Sequence, residues 1–196
     1  MTLVKDFGLM TRHVALGILF AVCGSAAGPA VAWGLESSAT LDIQPLPDGG
    51  AAARATLILA GPLDTVHAIL TDYENWPSLF PPGLRLASIR REPHRVVTEI
   101  YVPRHMLAGE LRLVAASHEP EPGTLEMTLI EGDFSRYRRT WRLIPADDGA
   151  TTRATLELEF QPNQWVPHWL LAIFLRKDLE EHFSRLQTAV AARATR

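Results

Sequence analysis

Residues 124–160 read TLEMTLIEGDFSRYRRTWRLIPADDGATTRATLELEF, and this stretch decides the fold. Side chains along a strand point alternately to its two faces, so a period of two sorts residues into an inner and an outer surface. Leu125, Met127 and Leu129 alternate with Thr124, Glu126 and Thr128. Tyr137, Trp141 and Leu143 alternate with Arg136, Arg138 and Arg142. Leu156, Leu158 and Phe160 alternate with Thr155, Glu157 and Glu159. Each run has one apolar and one polar face, which describes an antiparallel sheet covered on one side only. Gly132-Asp133 and Asp147-Asp148-Gly149 supply hairpin turns between the runs.

Outward from this stretch the same spacing continues. Strands are expected at 84–92, 95–102, 110–118, 124–131, 136–145 and 151–160, with Pro93, Pro103, Gly109 and the run Pro120-Glu121-Pro122-Gly123 among the separators. Residues 51–60 predict a further strand, which Gly61-Pro62 breaks. Val66, Ile69 and Leu70 fall at three- and four-residue steps and predict a short helix over 63–71, with Pro62 suited to its first turn and Asp64 adding negative charge there. A second short helical piece follows in 72–80 (DYENWPSLF), limited by Pro77. Residues 166–192 predict a long helix. Its stripe, Trp169, Ala172, Leu179, Phe183, Leu186 and Val190, is interrupted by Arg176 and should lie on the sheet's apolar face. The order gives an α+β domain over 51–193, with helices against one side of a curved antiparallel sheet.

The N-terminal residues carry a different signal. Lys5 and Arg12 precede the apolar run VALGILFAV (14–22), and a small-residue stretch ends in Ala30-Val31-Ala32. This is the three-part pattern of a secretory signal peptide over 1–32, with cleavage expected after Ala32 and a periplasmic or secreted protein as the consequence. A retained membrane anchor over 14–32 is the alternative, disfavoured because a span needs about 20 apolar residues. Residues 33–50 form a lead-in segment with a short strand expected around Thr40–Gln44.

Composition excludes several classes. The 196 residues include 47% hydrophobic ones, too many for a disordered chain. With 19 basic against 22 acidic side chains, no excess of positive charge is present for a phosphate backbone, so no nucleic-acid partner is expected. Cys23 is the one cysteine, which rules out an internal disulfide and a cysteine-based zinc site. The histidines show neither H-x-x-x-H nor H-E-x-x-H spacing, and no metal or cofactor is expected. A G-x-S-x-G elbow and a phosphate-cradling glycine loop are both missing.

Three motifs carry a resemblance. The first is the run from Asp64 to Pro81, DTVHAILTDYENWPSLFP; the second is Gly132–Trp141, GDFSRYRRTW; the third is Leu179-Glu180-Glu181-His182-Phe183 in the last helix. In this order they make the chain, over about residues 52–193, similar to the START-like (SRPBCC) superfamily and its polyketide cyclase/dehydrase and coenzyme Q-binding branch. The resemblance implies a helix-grip fold, a curved sheet wrapped around the C-terminal helix with a deep apolar cavity between them. Members bind lipids, sterols, quinones or polyketide intermediates. The residues expected to line such a cavity are Tyr73, Trp76, Leu125, Met127, Leu129, Trp141, Leu156, Leu158, Trp169 and Ile173. Asp72 is expected to satisfy backbone donors where the two short helices meet, and Trp76 to wedge them against the sheet.

Two functions follow from that expectation. The first is periplasmic binding or transfer of a hydrophobic ligand such as an isoprenoid, quinone, sterol-like or acyl lipid. It needs volume and apolar lining, and each buried CH₂ contributes about 0.8 kcal/mol. The alternative is an aromatase/cyclase or dehydrase, for which Glu99, Tyr101, His105 and Arg112 are the candidate acid–base set. Arg136, Arg138, Arg139, Arg142 and Arg153 form a basic stripe, read either as a grip for an anionic headgroup or, more simply, as a solvated face paired with Glu126, Glu157 and Glu159. The apolar segment from Trp165 to Leu175 covers more than one helix face and is a candidate portal or transient membrane contact. The oligomeric state is left open by the sequence.

Overall fold

The computed structural model describes residues 39–103, 109–146 and 149–194. The expected signal peptide and His105 lie outside the described residues. Among the described residues eight strands make one antiparallel sheet: β1 (Ala39–Pro45), β2 (Ala51–Leu59), β3 (Arg85–Glu92), β4 (Arg95–Pro103), β5 (Glu110–Glu121), β6 (Thr124–Gly132), β7 (Phe134–Pro145) and β8 (Thr152–Pro162). Their spatial order is β1-β2-β8-β7-β6-β5-β4-β3. The described residues add α1 (Leu63–Leu70), α2 (Trp76–Leu79) after a 3-10 turn at Tyr73–Asn75, and the long α3 (His168–Ala194). This is the helix-grip arrangement. The strand expected in the lead-in segment forms as β1 and extends the same sheet.

Register assigns the faces. Ile100 pairs with Leu113, Ala115 with Leu129, Leu125 with Trp141 and Trp141 with Leu156, and all belong to the core beneath the helices. The intervening residues of β4 and β5 point the other way, where Val97, Val114 and Ala116 form a small separate cluster. From α3, Leu175, Leu179, Phe183, Leu186 and Val190 drop into the main core. Gly132 allows β6 to turn into β7: its φ is +134°, and a Cβ there would sit 2.2 Å from the Arg112 carbonyl oxygen. The turn then ties back to β5, since Asp133 N–H donates to that carbonyl at 2.8 Å and the Asp133 carboxylate accepts from Arg112 N–H at 2.8 Å.

The helix stripe departs from expectation at its start. Trp169 is 66% exposed and Ile173 56%, whereas burial is complete only from Leu175 onward. Ile173 stands about 200° round the helix from Leu175, so the two cannot share a buried face. The first two turns of α3 therefore present apolar side chains to solvent.

Asp72 also acts differently from expectation. Its carboxylate takes chiefly the Asn75 side-chain amide at 2.9 Å and the Arg193 guanidinium at 3.0 Å, so it ties the last turn of α3 to the α1–α2 junction. These partners hold the carboxyl below its usual pKa despite partial desolvation. Asp72→Ala should cost about 1 kcal/mol, seen as a fall of about 2–4 °C in a thermal melt. An unchanged melt would mean that the tether contributes nothing.

Candidate functional site

The face of the sheet under the helices is largely apolar; among the described residues Arg91 lies at its β3 edge, paired with Glu74 of the 3-10 turn, and Arg139 lies nearer its middle. Arg139 has the parity of Tyr137, Trp141 and Leu143, which places it inside. Register continues that placement across the sheet, where Ser117 pairs with Met127 and Met127 with Arg139. The Arg139 guanidinium lies 4.6 Å from the Trp76 ring centre and 5.7 Å from that of Phe80, both from the α2 segment. Desolvated aromatic faces attract such a cation. Its strand neighbours behave otherwise: Arg138 ion-pairs with Glu126 at 2.9 Å and Arg142 with Glu157 at 3.1 Å, on the outer face.

Trp76 is positioned in turn by its indole N–H, which donates to the Leu70 carbonyl at 3.0 Å, and by Tyr73, whose ring centre is 4.7 Å away. Pro77 lies in the first turn of α2 and the helix is only four residues long, so the aromatic side chains dominate its packing. Burial raises the Tyr73 pKa, with the adjacent Ser117 hydroxyl and the positive charge of Arg139 opposing that rise.

His182 of α3 closes the interior from above and is 3% exposed. It stacks on Phe80 with ring centres 4.2 Å apart and planes 7° from parallel. Burial pushes its pKa down to about 4, and the nearby Arg139 charge acts in the same direction against the Leu79 carbonyl. The imidazole is thus neutral near pH 7. Its Nδ1 sits 2.6 Å from the Leu79 carbonyl oxygen, which can only accept, so Nδ1 carries the proton and Nε2 is left as an acceptor.

Among the described residues, Thr98 Oγ1, Ser117 Oγ and Trp141 Nε1 on this same face are buried without a well-formed hydrogen bond. Tyr73, Trp76, Ser117, Met127, Arg139 and Trp141 surround a cavity of about 10 Å³. That is room for about one water molecule, far less than the hollow expected from the resemblance. The reason is physical: Met127, Trp141 and Phe183 are large and all reach into the space between sheet and helix.

One end of the grip is looser. Val102, Leu111, Leu129, Tyr137 and Phe160 belong to the inner face but are only half buried, and register puts them all at the end where β8 passes into α3. There α3 begins with the exposed Trp169 and Ile173, preceded by Trp165 at 85% exposure. A separate open cleft of about 380 Å³ runs between β1 and α3, where Leu41 and Phe183 meet Arg176 and Glu180.

The residues singled out from sequence distribute as follows. Tyr73, Trp76, Met127, Trp141, Leu156 and Leu158 are buried under the helices, and Leu125 and Leu129 are half buried there. Trp169 and Ile173 face solvent. Glu99, Tyr101 and Arg112 come together, but on the face opposite the helices. Arg112 binds Glu99 and Glu131, each at 2.7 Å, and the Tyr101 hydroxyl donates to Glu99 at 3.2 Å. The Arg112 guanidinium holds the Glu99 carboxyl below its ordinary pKa, which describes an ion-pair network. Among the described residues no group of three or more His, Cys, Asp or Glu side chains could hold a metal ion. Sequence reasoning overlooks Arg139 and His182 as interior residues. The signals exist: Arg139 shares strand parity with Trp141, and His182 falls in step with Leu179 and Leu186.

A curved antiparallel sheet gripping one long helix, with polar groups enclosed between them, defines the START-like helix-grip class. The chain belongs to the polyketide cyclase / dehydrase and lipid transport family, which it matches over residues 59–185. Among solved structures it is similar to TTHA0849 from Thermus thermophilus, at 23% identity and a TM-score of 0.57, covering 72% of this chain and 97% of that one. It is also similar to human StAR-related lipid transfer protein 5, at 15% identity and a TM-score of 0.59, covering 79% and 82%. The Zhui aromatase/cyclase from Streptomyces sp. R1128 matches at 16% identity and a TM-score of 0.54, covering 81% and 95%. At these identities the likeness is one of fold. Comparison with curated proteins gave no match.

Proposed function

We propose that this protein binds and hands on a hydrophobic small molecule held between α3 and the inner face of the sheet. The observation that carries this reading is the burial gradient along that face. Its far end is shut by Trp76, Trp141 and Leu143, whereas Leu111, Leu129, Tyr137 and Phe160 at the α3 end stay half open. A ligand would part the first turns of α3 from the sheet there and replace water on those side chains. Membership of a family that includes lipid transport supports the same reading. The similar structures include both a lipid transfer protein and an aromatase/cyclase. The carrier reading is preferred because Glu99, Tyr101 and Arg112 satisfy one another on the outer face and leave no acid–base set of their own inside.

Exported action is part of the proposal, supported by the signal-peptide pattern of residues 1–32. Brief contact of the segment from Trp165 to Leu175 with a membrane is another part, supported by the exposure of Trp165, Trp169 and Ile173. Native mass spectrometry of the full-length protein, produced in a bacterium with a secretory pathway, tests the reading. The expected spectrum shows a chain shortened after Ala32 and carrying an apolar adduct that organic solvent extracts. A chain without an adduct, which also fails to take up any fatty acid, sterol or quinone offered in micelles, would overturn ligand binding.

A further inference from the structure

Among the described residues the inner face of the grip carries a guanidinium and an indole N–H, groups that only donate. Arg139 brings a permanent cation, and among the described residues no carboxylate forms an ion pair with it. Glu126, beside the same cavity along β6, turns its carboxylate to Arg138 on the outer face. Thr98 Oγ1 and Trp141 Nε1 are unpartnered in residues 0% and 2% exposed, and Ser117 Oγ, in a residue 7% exposed, makes no well-formed hydrogen bond although the Tyr73 hydroxyl is beside it. Register gathers them: Ser117 and Arg139 flank Met127 in one row, Trp141 is the next inward residue along β7, and Thr98 is a diagonal neighbour of Ser117 across β4 and β5. Polar atoms this deep almost always have partners, and a missing one raises the question of what supplies it. With Nδ1 on the Leu79 carbonyl, the Nε2 of His182 is an acceptor on the protein side, and the Ser117 and Thr98 hydroxyls can accept as well as donate.

We infer that the ligand is an amphipathic carboxylate whose head group displaces the content of the one-water cavity and widens it to reach Arg139, Ser117 and Trp141, its apolar body lying toward the half-open end at α3. This rests on the hydrophobic-ligand reading above and adds the class of molecule. Carboxylate oxygens only accept, so they complement a guanidinium, an indole N–H and a hydroxyl together. The Arg139 guanidinium carbon lies 4.6 Å from the Trp76 ring centre, and that contact uses none of its N–H donors, which stay available to an acceptor. An ester or alcohol of the same chain gains the apolar burial but cannot offset the cation. Half-buried Arg139, on the inner face without a carboxylate partner, then becomes intelligible as a recognition group.

Equilibrium binding of a long-chain fatty acid and of its methyl ester to the full chain at pH 8, read by displacement of a fluorescent apolar probe, tests this. The acid should bind at least about tenfold more tightly than the ester. In Arg139→Met the ratio should fall to about one while ester binding persists. Ser117→Ala, a milder change should Arg139→Met fail to fold, should weaken the acid severalfold and leave the ester unchanged. A ratio near one in the unaltered protein would overturn the inference and make an ordered water the partner of the orphaned atoms. A preference that survives Arg139→Met, or an acid affinity unmoved by Ser117→Ala, would overturn it too. Binding of ester without preference spares the hydrophobic-ligand reading, whereas binding of neither compound removes both.

Discussion

Trp76→Ala should destabilise the protein by about 3–5 kcal/mol, enough to remove much of the roughly 5–15 kcal/mol that a domain of this kind has in total. Trp76 is 2% exposed, and its ring joins three parts of the molecule. Its indole N–H fixes the end of α1 through the Leu70 carbonyl, its edge meets Tyr73 and Phe80, and its face receives the Arg139 cation from the sheet. Truncation leaves a large cavity and also strips the aromatic cover from a charge inside the grip. Urea denaturation should show a lower midpoint with a similar slope. Trp165→Ala is the matched control, because that indole is 85% exposed and its loss should change stability by less than about 0.5 kcal/mol. Trp76→Phe should fall between, keeping the ring but losing the bond to Leu70. A cost below about 1 kcal/mol for Trp76→Ala would show that α1 and α2 are held by other contacts.

The pattern of alternation makes most of the fold legible. The six expected strands from 84 to 160 and the short helix after the first break all form within a few residues of their expected ends, because one solvated face leaves a strong period of two. What stays hidden depends on depth. Charge groups Arg139 with the outer arginines, although its parity with Tyr137 and Trp141 assigns it to the inner face. Charge is a weaker guide to side than period, because a cation can be covered by ring faces that come from a distant segment. His182 stands out in the sequence only as part of a motif, and nothing in its neighbours along the chain announces that Phe80, from the α2 segment, stacks on it. The start of α3 misleads for the opposite reason. Its stripe continues as spacing back to Trp169, yet Trp169 is 66% exposed, and the neighbouring Ile173 stands on the side of the helix away from Leu175. The interior volume is the least legible feature, since it is set by how Met127, Trp141 and Phe183 pack together and not by any one strand.

Acidification should weaken the fold before most carboxylates titrate, and His182 is the reason. Its folded-state pKa is about 4 against an ordinary histidine value of 6.5, so the unfolded chain takes up a proton over a range in which the folded chain refuses it. Stability is therefore fully present above pH 6.5, declines as pH falls toward 4, and is flat for this group below that. The slope approaches about 1.4 kcal/mol per pH unit, and the whole window amounts to about 3 kcal/mol. Asp72, Glu92 and Glu119 are lowered in the fold from ordinary values of 3.8, 4.5 and 4.5, so their losses set in mainly at the acid end. The interval from about pH 6.5 to about 5 is where the imidazole acts most nearly alone among these groups. His182→Asn separates its contribution. An asparagine amide can still donate to the Leu79 carbonyl but takes no proton, so the variant should be less stable at neutral pH through lost stacking on Phe80, yet nearly level across that same interval. Denaturant titrations of both proteins at half-unit steps read the difference directly. If the two slopes prove equal, protonation of His182 is not what limits the fold in acid. The consequence for the site is then immediate: an imidazole that could charge freely beside Arg139 would not be the enclosed, neutral acceptor that the interior requires.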